Sequence, residues 1–280
     1  MSTGNVQEKT LSTGSAQSTV TSKDGTVITY SQVGQGPTLI LVDGALCYRD
    51  FGPGKALAEA LAAHFTVVIY DRRGRGESGD TLPYAGEREV EDLAALIEVV
   101  GGSAFVAGQS SGAALAIEAA NRLSGIAKLA LYEAPCVVDD TGKQVTQDFL
   151  VRLKELVGEN RRTQAVKLFM KHVGMPGFML AIMPLMPMWS KLKAVAHTLP
   201  YDVSLLVDYG TGKPLPETLG AAITASTLVM DGGKSPTWMR HAMQALARTL
   251  PDAKYRTLAG QTHMVKAEAL APALVEFFTA

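Results

Sequence analysis

Cysteine is scarce in this chain, and so is any residue spacing that would bind a metal. Among 280 residues there are two cysteines, Cys47 and Cys136, and they form no CxxC pair. The five histidines form neither an HxH nor an HExxH pair. These absences argue against a disulfide framework, favour a reducing, cytoplasmic setting, and predict no metal site.

An excess of one charge is also lacking. Lys and Arg together number 26 and Asp and Glu 27, which gives a net charge of -1. A chain without a basic field is not expected to bind nucleic acid or an anionic lipid surface. Neither of these partners is therefore expected, and the sequence carries no signal for a particular oligomeric state.

The most apolar stretch, residues 173–190, contains no charged side chain. It is close to the length that spans a bilayer, but Pro176, Pro184 and Pro187 interrupt it. Proline breaks the regular hydrogen bonding that a membrane-spanning helix needs. The sequence therefore predicts no stable insertion into a membrane.

Short β-branched runs alternate with helical patterns along most of the chain. Strands are predicted at TVITYS (26–31), TLILV (38–42), TVVIY (66–70), AFVAG (104–108), KLALY (128–132), STLVM (226–230) and KYRTL (254–258). Helical spacing of apolar residues occurs between them at 54–65, 87–100, 111–123 and 235–250. The alternation predicts an α/β fold with a doubly wound, mostly parallel sheet and helices on both faces.

Two segments depart from this alternation. Residues 1–20 are rich in Ser, Thr, Gly and Gln and have no apolar run, which predicts a flexible tail. Residues 137–219 are helical in pattern, rich in methionine and punctuated by proline. This predicts a helical cap inserted into a core of residues 21–136 and 220–280. After the end of a strand, such an insertion would lie over the edge where doubly wound sheets bind ligands.

The stretch GQSSG, residues 108–112, lies between a predicted strand and a predicted helix. A tight strand-to-helix turn that presents a nucleophile needs small residues two positions before and two after it. Around Ser110 these positions hold Gly108 and Gly112, whereas around Ser111 they hold Gln109 and an alanine. Ser110 is therefore the predicted nucleophile, and the alternative is an ordinary glycine-rich turn.

The turn around Ser110, together with the predicted strand and helix order, resembles the α/β-hydrolase fold family. The resemblance covers nearly all of the chain after residue 20. LILVDGALC is similar to the strand and loop that supply half of the oxyanion hole in that family, and DRRGRGESGD (71–80) to its D-x-R-G-x-G-x-S segment. The resemblance implies an oxyanion hole made by the backbone N–H groups of Ala45 and Ser111. Asp43-Gly44 stands where the family usually has His-Gly.

The 71–80 segment also contains the pattern GxGxxG at Gly74, Gly76 and Gly79. In a dinucleotide-binding fold these glycines directly follow a strand, and an acidic residue ends the next strand. Here Arg72 and Arg73 come first, and no acid follows at the expected distance. Dinucleotide binding is therefore disfavoured.

A serine needs a base, and the base needs an acid to orient it. His263 follows the last predicted strand, in the loop that carries the catalytic histidine in the resembling family. For the acid, Glu133 ends the strand LALYE, as in some members of the family, whereas Asp231 lies before the glycines of DGGKSP. Glu133 is favoured, and Asp231 is the alternative.

The resemblance and these residues together predict a cofactor-free, carboxylesterase-like serine hydrolase. Its expected substrate is a small to medium, mainly apolar ester or lactone, which would react through an acyl-enzyme. The apolar preference is inferred from residues of the predicted cap: Met170, Met175, Met179, Met183, Met186, Met188 and Trp189. These residues could equally pack the cap on the body. Two other functions stay open: a non-hydrolytic lyase using the same site, and a slow-turnover, receptor-like ligand-binding protein.

Overall fold

Residues 17–280, which the computed structural model describes, contain an eight-stranded sheet. The strands are β1 (Gln17–Thr21), β2 (Val27–Val33), β3 (Thr38–Val42), β4 (Thr66–Tyr70), β5 (Ala104–Gln109), β6 (Ile126–Tyr132), β7 (Ser226–Gly232) and β8 (Ala253–Leu258). Their order in the sheet is β1-β2-β4-β3-β5-β6-β7-β8. The pairs β1·β2 and β2·β4 are antiparallel and every other pair is parallel. The predicted mostly parallel sheet is confirmed.

The helices follow the strands along the chain. They are α1 (Gly54–Leu61), α2 (Gly86–Val99), α3 (Ser111–Ala120), α4 (Gln147–Gly158), α5 (Arg162–His172), α6 (Gly177–Ile182), α7 (Trp189–Ala194), α8 (Leu199–Ser204), α9 (Thr237–Thr249) and α10 (Ala267–Thr279). Helices α1 and α10 pack together on one face of the sheet, whereas α2, α3 and α9 bury their apolar sides on the other.

Strand β3 shows why the central strands are apolar throughout. Leu39 and Leu41 belong to the core cluster under α1 and α10, whereas Ile40 and Val42 belong to the cluster under α2, α3 and α9. Successive side chains of a strand point to opposite faces, so a strand covered on both sides has no position for a polar residue. The predicted helices on both faces are confirmed.

The predicted tail ends earlier than residue 20. Residues 17–20 belong to β1, which pairs with β2 from Gln17 opposite Ser31 to Thr21 opposite Val27. The polar residues of this edge strand are ordered by backbone pairing and not by burial, so composition alone gave no strand there. Residues 1–16 of the predicted tail lie outside the described residues.

Between β6 and β7 the chain forms α4 to α8, and this part of the described structure contains no strand. Proline sets the breaks: Pro176 precedes α6, and Pro184 lies in a 3₁₀ turn directly after it. Within residues 17–280, no helix is both long enough and apolar enough to cross a membrane. Residues 137–219 are called the inserted segment below.

The predicted cap methionines have different surroundings. Met183 and Trp189 are buried, and Met170 and Met175 are half-buried against the core. Three others are exposed: Met179, Met186 and Met188. The inserted segment therefore uses some of these residues for packing and leaves others at the surface.

Candidate active site

Ser110 lies in a sharp turn between β5 and α3. Its backbone angles are φ 57° and ψ -129°, which a residue with a side chain rarely adopts. The turn brings neighbouring backbone so close that a Cβ on Gly108 would lie 2.6 Å from the Gly112 carbonyl oxygen, and a Cβ on Gly112 would collide with the Val42 carbonyl oxygen. Both glycines are therefore required by packing, as expected for a turn that exposes a nucleophile.

His263 follows β8, and its ring contacts a buried carboxylate. Nδ1 of His263 lies 2.8 Å from Oε2 of Glu133, while the backbone N–H of Gly232 donates to Oε1 at 2.8 Å. Glu133 is fully buried and comes directly after β6, with a φ of 49°. A carboxylate at this position accepts from Nδ1–H and so favours the tautomer in which Nε2 is the nitrogen that can accept a proton.

Asp231, the alternative acid, is directed elsewhere. It lies within β7, fully buried, and Oδ2 accepts a hydrogen bond from the hydroxyl of Tyr255 at 2.7 Å. Nε of Arg240 lies 3.8 Å from the same oxygen. In the described part of the chain, Glu133 is the carboxylate that the His263 ring contacts.

Ser110 and His263 each follow the carboxyl end of a parallel strand, β5 and β8, and so lie at the same edge of the sheet, but the described residues show no direct hydrogen bond between them. Instead Nε2 of Gln109 donates to the His263 carbonyl at 2.9 Å, and the hydroxyl of Tyr132 donates to the Thr262 carbonyl at 2.7 Å. These two side chains hold the loop that carries His263 (the histidine loop) close to the turn that carries Ser110. Sequence reasoning missed both, although Gln109 stands inside the GQSSG motif.

The loop after β3 lies against the turn that carries Ser110. A Cβ on Gly44 would be 2.9 Å from Cβ of Ser110 and 3.4 Å from its hydroxyl oxygen. In residues 17–280 the N–H of Ala45 meets no hydrogen-bond acceptor. Ser111 begins α3, where backbone N–H groups have no partner within the helix and the helix dipole favours negative charge. The loop that carries Ala45 and the first residue of α3 therefore both lie next to Ser110.

Three buried arginines lie in the segment that follows β4. Arg72, Arg73 and Arg75 are each 1% exposed. Arg72 donates to both carboxylate oxygens of Glu89, at 2.7 and 2.8 Å, and to Asp202 at 2.8 Å. Sequence reasoning assigned these arginines no role, because their partners are far along the chain.

Asp202, in α8 of the inserted segment, connects two of these buried arginines to Ser111 at the start of α3. Its carboxylate accepts from Arg72, from Arg75 and, at 2.7 Å, from the hydroxyl of Ser111. Burial alone would raise the pKa of Asp202, but the two guanidinium groups outweigh it and hold the pKa below its usual value. The carboxylate is therefore ionised at neutral pH.

Asp43 is the first residue of the loop after β3. Its carboxylate lies against Gly54, the first residue of α1, where a Cβ would come within 2.5 Å of Oδ2. Burial raises the pKa of Asp43 to about 6, although Arg75 and Arg72 partly oppose the shift.

A cleft of about 1070 Å³ lies between α2 and the inserted segment. Tyr84 and Tyr201 line it with their rings stacked 3.8 Å apart, and Ser110 and His263 are not among its lining residues. Within residues 17–280, no three His, Cys, Asp or Glu side chains converge as they would around a metal ion.

Comparisons with known proteins agree on the fold. A sequence model described as "Alpha/beta hydrolase family" matches residues 39–273. An alpha/beta hydrolase structure from Sphaerobacter thermophilus DSM 20745 is 52% identical, with a TM-score of 0.85; the match covers 93% of this chain and 100% of that one.

Two more distant structures share the fold. A thermophilic esterase from Thermogutta terrifontis is 22% identical, with a TM-score of 0.67 and coverage of 94% of this chain and 98% of its own. The enol-lactonase from Burkholderia xenovorans LB400 is 19% identical, with a TM-score of 0.67 and coverage of 92% and 98%.

Proposed function

The chain belongs to the alpha/beta hydrolase family, and we propose that it is a serine hydrolase that cleaves a small to medium, mainly apolar ester or lactone. One observation carries the proposal. A strained serine, a histidine hydrogen-bonded to a buried glutamate, and two backbone N–H groups lie at the same edge of the sheet. Each group is of the type that acyl transfer needs.

In the proposed first step, the hydroxyl oxygen of Ser110 attacks the substrate carbonyl, and Nε2 of His263 takes the proton. The carbonyl π-electrons move to its oxygen, and the N–H groups of Ala45 and Ser111 stabilise this oxyanion. When the tetrahedral intermediate collapses, the carbon–oxygen bond to the leaving alcohol breaks and His263 returns the proton to it. The product of this half-reaction is an ester of Ser110.

In the second step, water replaces the alcohol. His263 removes a proton from the water as its oxygen attacks the acyl carbon, and the same two N–H groups stabilise the new oxyanion. Collapse releases the acid and returns the proton to Ser110. Throughout, Glu133 holds the imidazole in one tautomer and stabilises its protonated form without taking the proton itself.

The apolar preference is supported by the exposed part of the inserted segment. Met179, Met186 and Met188 are between 37% and 40% exposed, and Phe178 and Leu185 beside them are 71% and 85% exposed. Flexible, polarisable methionine side chains adapt to apolar groups of different shape. We therefore propose that this segment acts as a cap that receives the acyl or alcohol portion of the substrate.

A slow-turnover, receptor-like protein is the second candidate. It is favoured by one observation, namely that within the described residues the Ser110 hydroxyl and the His263 ring share no hydrogen bond. Catalytic hydrogen bonds often tighten only when substrate binds, so the hydrolase is preferred. The two functions differ in turnover and not in the chemistry of the serine.

A fluorophosphonate probe tests the proposal, because it reacts with activated serines. We expect wild-type protein to be labelled at Ser110, with the site mapped by peptide mass spectrometry, and Ser110→Ala to be unlabelled. Ser111→Ala is the matched control: it retains the backbone N–H and should still be labelled. An unlabelled Ser110 in the wild type contradicts the hydrolase. Labelling without turnover of short p-nitrophenyl esters supports the receptor-like protein instead.

A further inference from the structure

The loop after β3, residues 43–47, carries the predicted donor Ala45 and is called the oxyanion loop below. Arg75 connects this loop to the inserted segment through a single guanidinium group. Its Nη1 donates to the carbonyl oxygen of Gly44 at 2.8 Å and to that of Cys47 at 3.3 Å. Its Nη2 donates to both carboxylate oxygens of Asp202, at 2.8 and 2.7 Å. The guanidinium and the carboxylate are both buried, so the two contacts are held in one rigid arrangement.

The contact with Gly44 constrains a peptide group next to the nucleophile. A trans peptide is planar, and its C=O and N–H bonds point in opposite directions. The Gly44 carbonyl oxygen points toward Arg75, so the N–H of Ala45, in the same peptide, points away from Arg75. A rotation of this peptide would replace the donor with a carbonyl oxygen, which repels an oxyanion.

We propose that Arg75, anchored by Asp202, is a positioning residue that sets the direction of the Ala45 N–H and so forms the oxyanion hole. This inference rests on the proposed hydrolase function. Arg75 contacts no reacting atom; it acts through the peptide between Gly44 and Ala45.

The backbone between the two bonded carbonyls supports this role. Leu46 has a φ of 64°, although it is neither glycine nor asparagine and its side chain is buried. Such a conformation is unfavourable for leucine and persists only where surrounding contacts enforce it. Nη1 of Arg75 bonds the carbonyls of Gly44 and Cys47, which lie on either side of Leu46. The Gly44 carbonyl also accepts from the backbone N–H of Cys47 at 3.4 Å, which closes a turn around Leu46, and the arginine reinforces this loop shape.

Asp202 also contacts Ser111, which carries the second predicted oxyanion-hole donor. The carboxylate that anchors Arg75 also accepts from the Ser111 hydroxyl, and the backbone N–H of Ser111 is the other predicted donor. One residue of α8 therefore contacts Arg75 and the residue that carries the second donor, which links the inserted segment to both sides of the proposed oxyanion hole.

Arg75→Lys is the variant that tests this, and Arg73→Lys is its matched control. Arg73 is two residues away and equally buried, but its partners are Asp92, Asp24 and the Arg88 carbonyl, not the oxyanion loop. Lysine has one ammonium group in place of the planar guanidinium, so it cannot donate to Gly44 and Asp202 in the same fixed directions.

For Arg75→Lys we expect kcat for p-nitrophenyl butyrate to fall by about 10- to 100-fold, less than the loss of a whole oxyanion donor. KM should change by less than about twofold, since the contact matters only once the oxyanion forms. A trifluoromethyl ketone, which forms a tetrahedral adduct with serine, should bind more weakly by the same factor as kcat falls. Arg73→Lys should lower the Tm but leave kcat within about twofold of the wild type.

An Arg75→Lys protein that is folded by circular dichroism, with unchanged kcat and ketone affinity, overturns the inference. Equal losses of kcat in both lysine variants overturn it as well, because general loosening would then explain them. If Arg75→Lys does not fold, Asp202→Asn replaces it, with a smaller fall in kcat at constant KM expected and an unchanged kcat overturning the inference. An unlabelled Ser110 in the wild type instead overturns the proposed function, and this inference with it.

Discussion

Nδ1 of His263 lies 2.8 Å from Oε2 of Glu133, the residue that directly follows β6. The carboxylate is fully buried, and its second oxygen accepts from the N–H of Gly232 in β7. The acid thus comes from one strand and is held by the backbone of the next. This arrangement leaves little freedom for the imidazole, because the carboxylate that orients it cannot rotate without losing a hydrogen bond.

Glu133→Gln should impair catalysis without disturbing the fold. The amide oxygen can still accept from Gly232, but an NH₂ group facing Nδ1 favours the wrong tautomer of His263. We expect kcat to fall by about 10²- to 10⁴-fold, the upper value being that of the corresponding change in a serine protease triad. The measurement is kcat for p-nitrophenyl butyrate, with circular dichroism to verify folding.

Asp231→Asn is the paired variant, because it makes the same chemical change in the next strand. Asp231 contacts Tyr255 and not His263, so kcat should stay within about threefold of the wild type, well short of the loss of a triad member. If Asp231→Asn lost far more activity than Glu133→Gln, the assignment of the acid would be reversed.

Gln109 should matter for activity through the position of His263. Its side chain donates to the His263 carbonyl at 2.9 Å. Gln109→Ala removes this tie, and we expect kcat to fall by about tenfold while the free energy of unfolding decreases by about 1 kcal/mol, the usual net worth of one hydrogen bond.

Gln109→Glu separates the hydrogen bond from the loss of side-chain volume. It has nearly the same size but cannot donate when ionised, so it should resemble Gln109→Ala in kcat above pH 6. Wild-type kcat in both variants would show that the tie to the histidine loop is irrelevant to turnover.

The sequence located the parts of the candidate site that local chain geometry determines. Ser110 could be predicted because a tight turn requires Gly108 and Gly112, and close contacts at both glycines show why. Partners of the buried arginines could not be predicted. Asp202 lies 127 positions from Arg75, and no local pattern indicates which distant carboxylate meets which guanidinium.

The same distinction, between local pattern and distant contacts, applies to the strands and helices. Central strands such as β3 are apolar on both faces, so a short run of sequence identifies them. Strand β1 alternates exposed and half-buried residues and is defined by its pairing with β2. Helix α10 was not predicted either, although its apolar residues Leu270, Leu274 and Phe278 face the sheet.

Asp43→Asn should stabilise the protein at neutral pH and not at low pH. Burial raises the pKa of Asp43 to about 6, above the usual range of an aspartate. The folded state therefore binds this proton more tightly than the unfolded state does, and stability falls as pH rises from about 4 through about 6. Asparagine has no charge to bury. We expect the variant to exceed the wild type by about 2 kcal/mol in free energy of unfolding at pH 7.5 and to match it at pH 3.5.

Urea unfolding at these two pH values is the measurement. Asp50→Asn serves as the control, since it removes an exposed carboxyl from the same loop region and should give no comparable gain at pH 7.5. An Asp43→Asn protein that is no more stable than wild type at pH 7.5 would mean that the ionised carboxylate is well solvated or paired in the fold.

Two methionines of the inserted segment, three positions apart, should respond differently to truncation. Met183 is 3% exposed and belongs to the main core cluster, whereas Met186 is 40% exposed. Met183→Ala leaves a cavity and should lower the free energy of unfolding by about 2–4 kcal/mol. Met186→Ala should change it by less than about 0.5 kcal/mol, as surface substitutions do. Urea unfolding of both variants measures this. Equal effects would mean that Met183 is not packed as described.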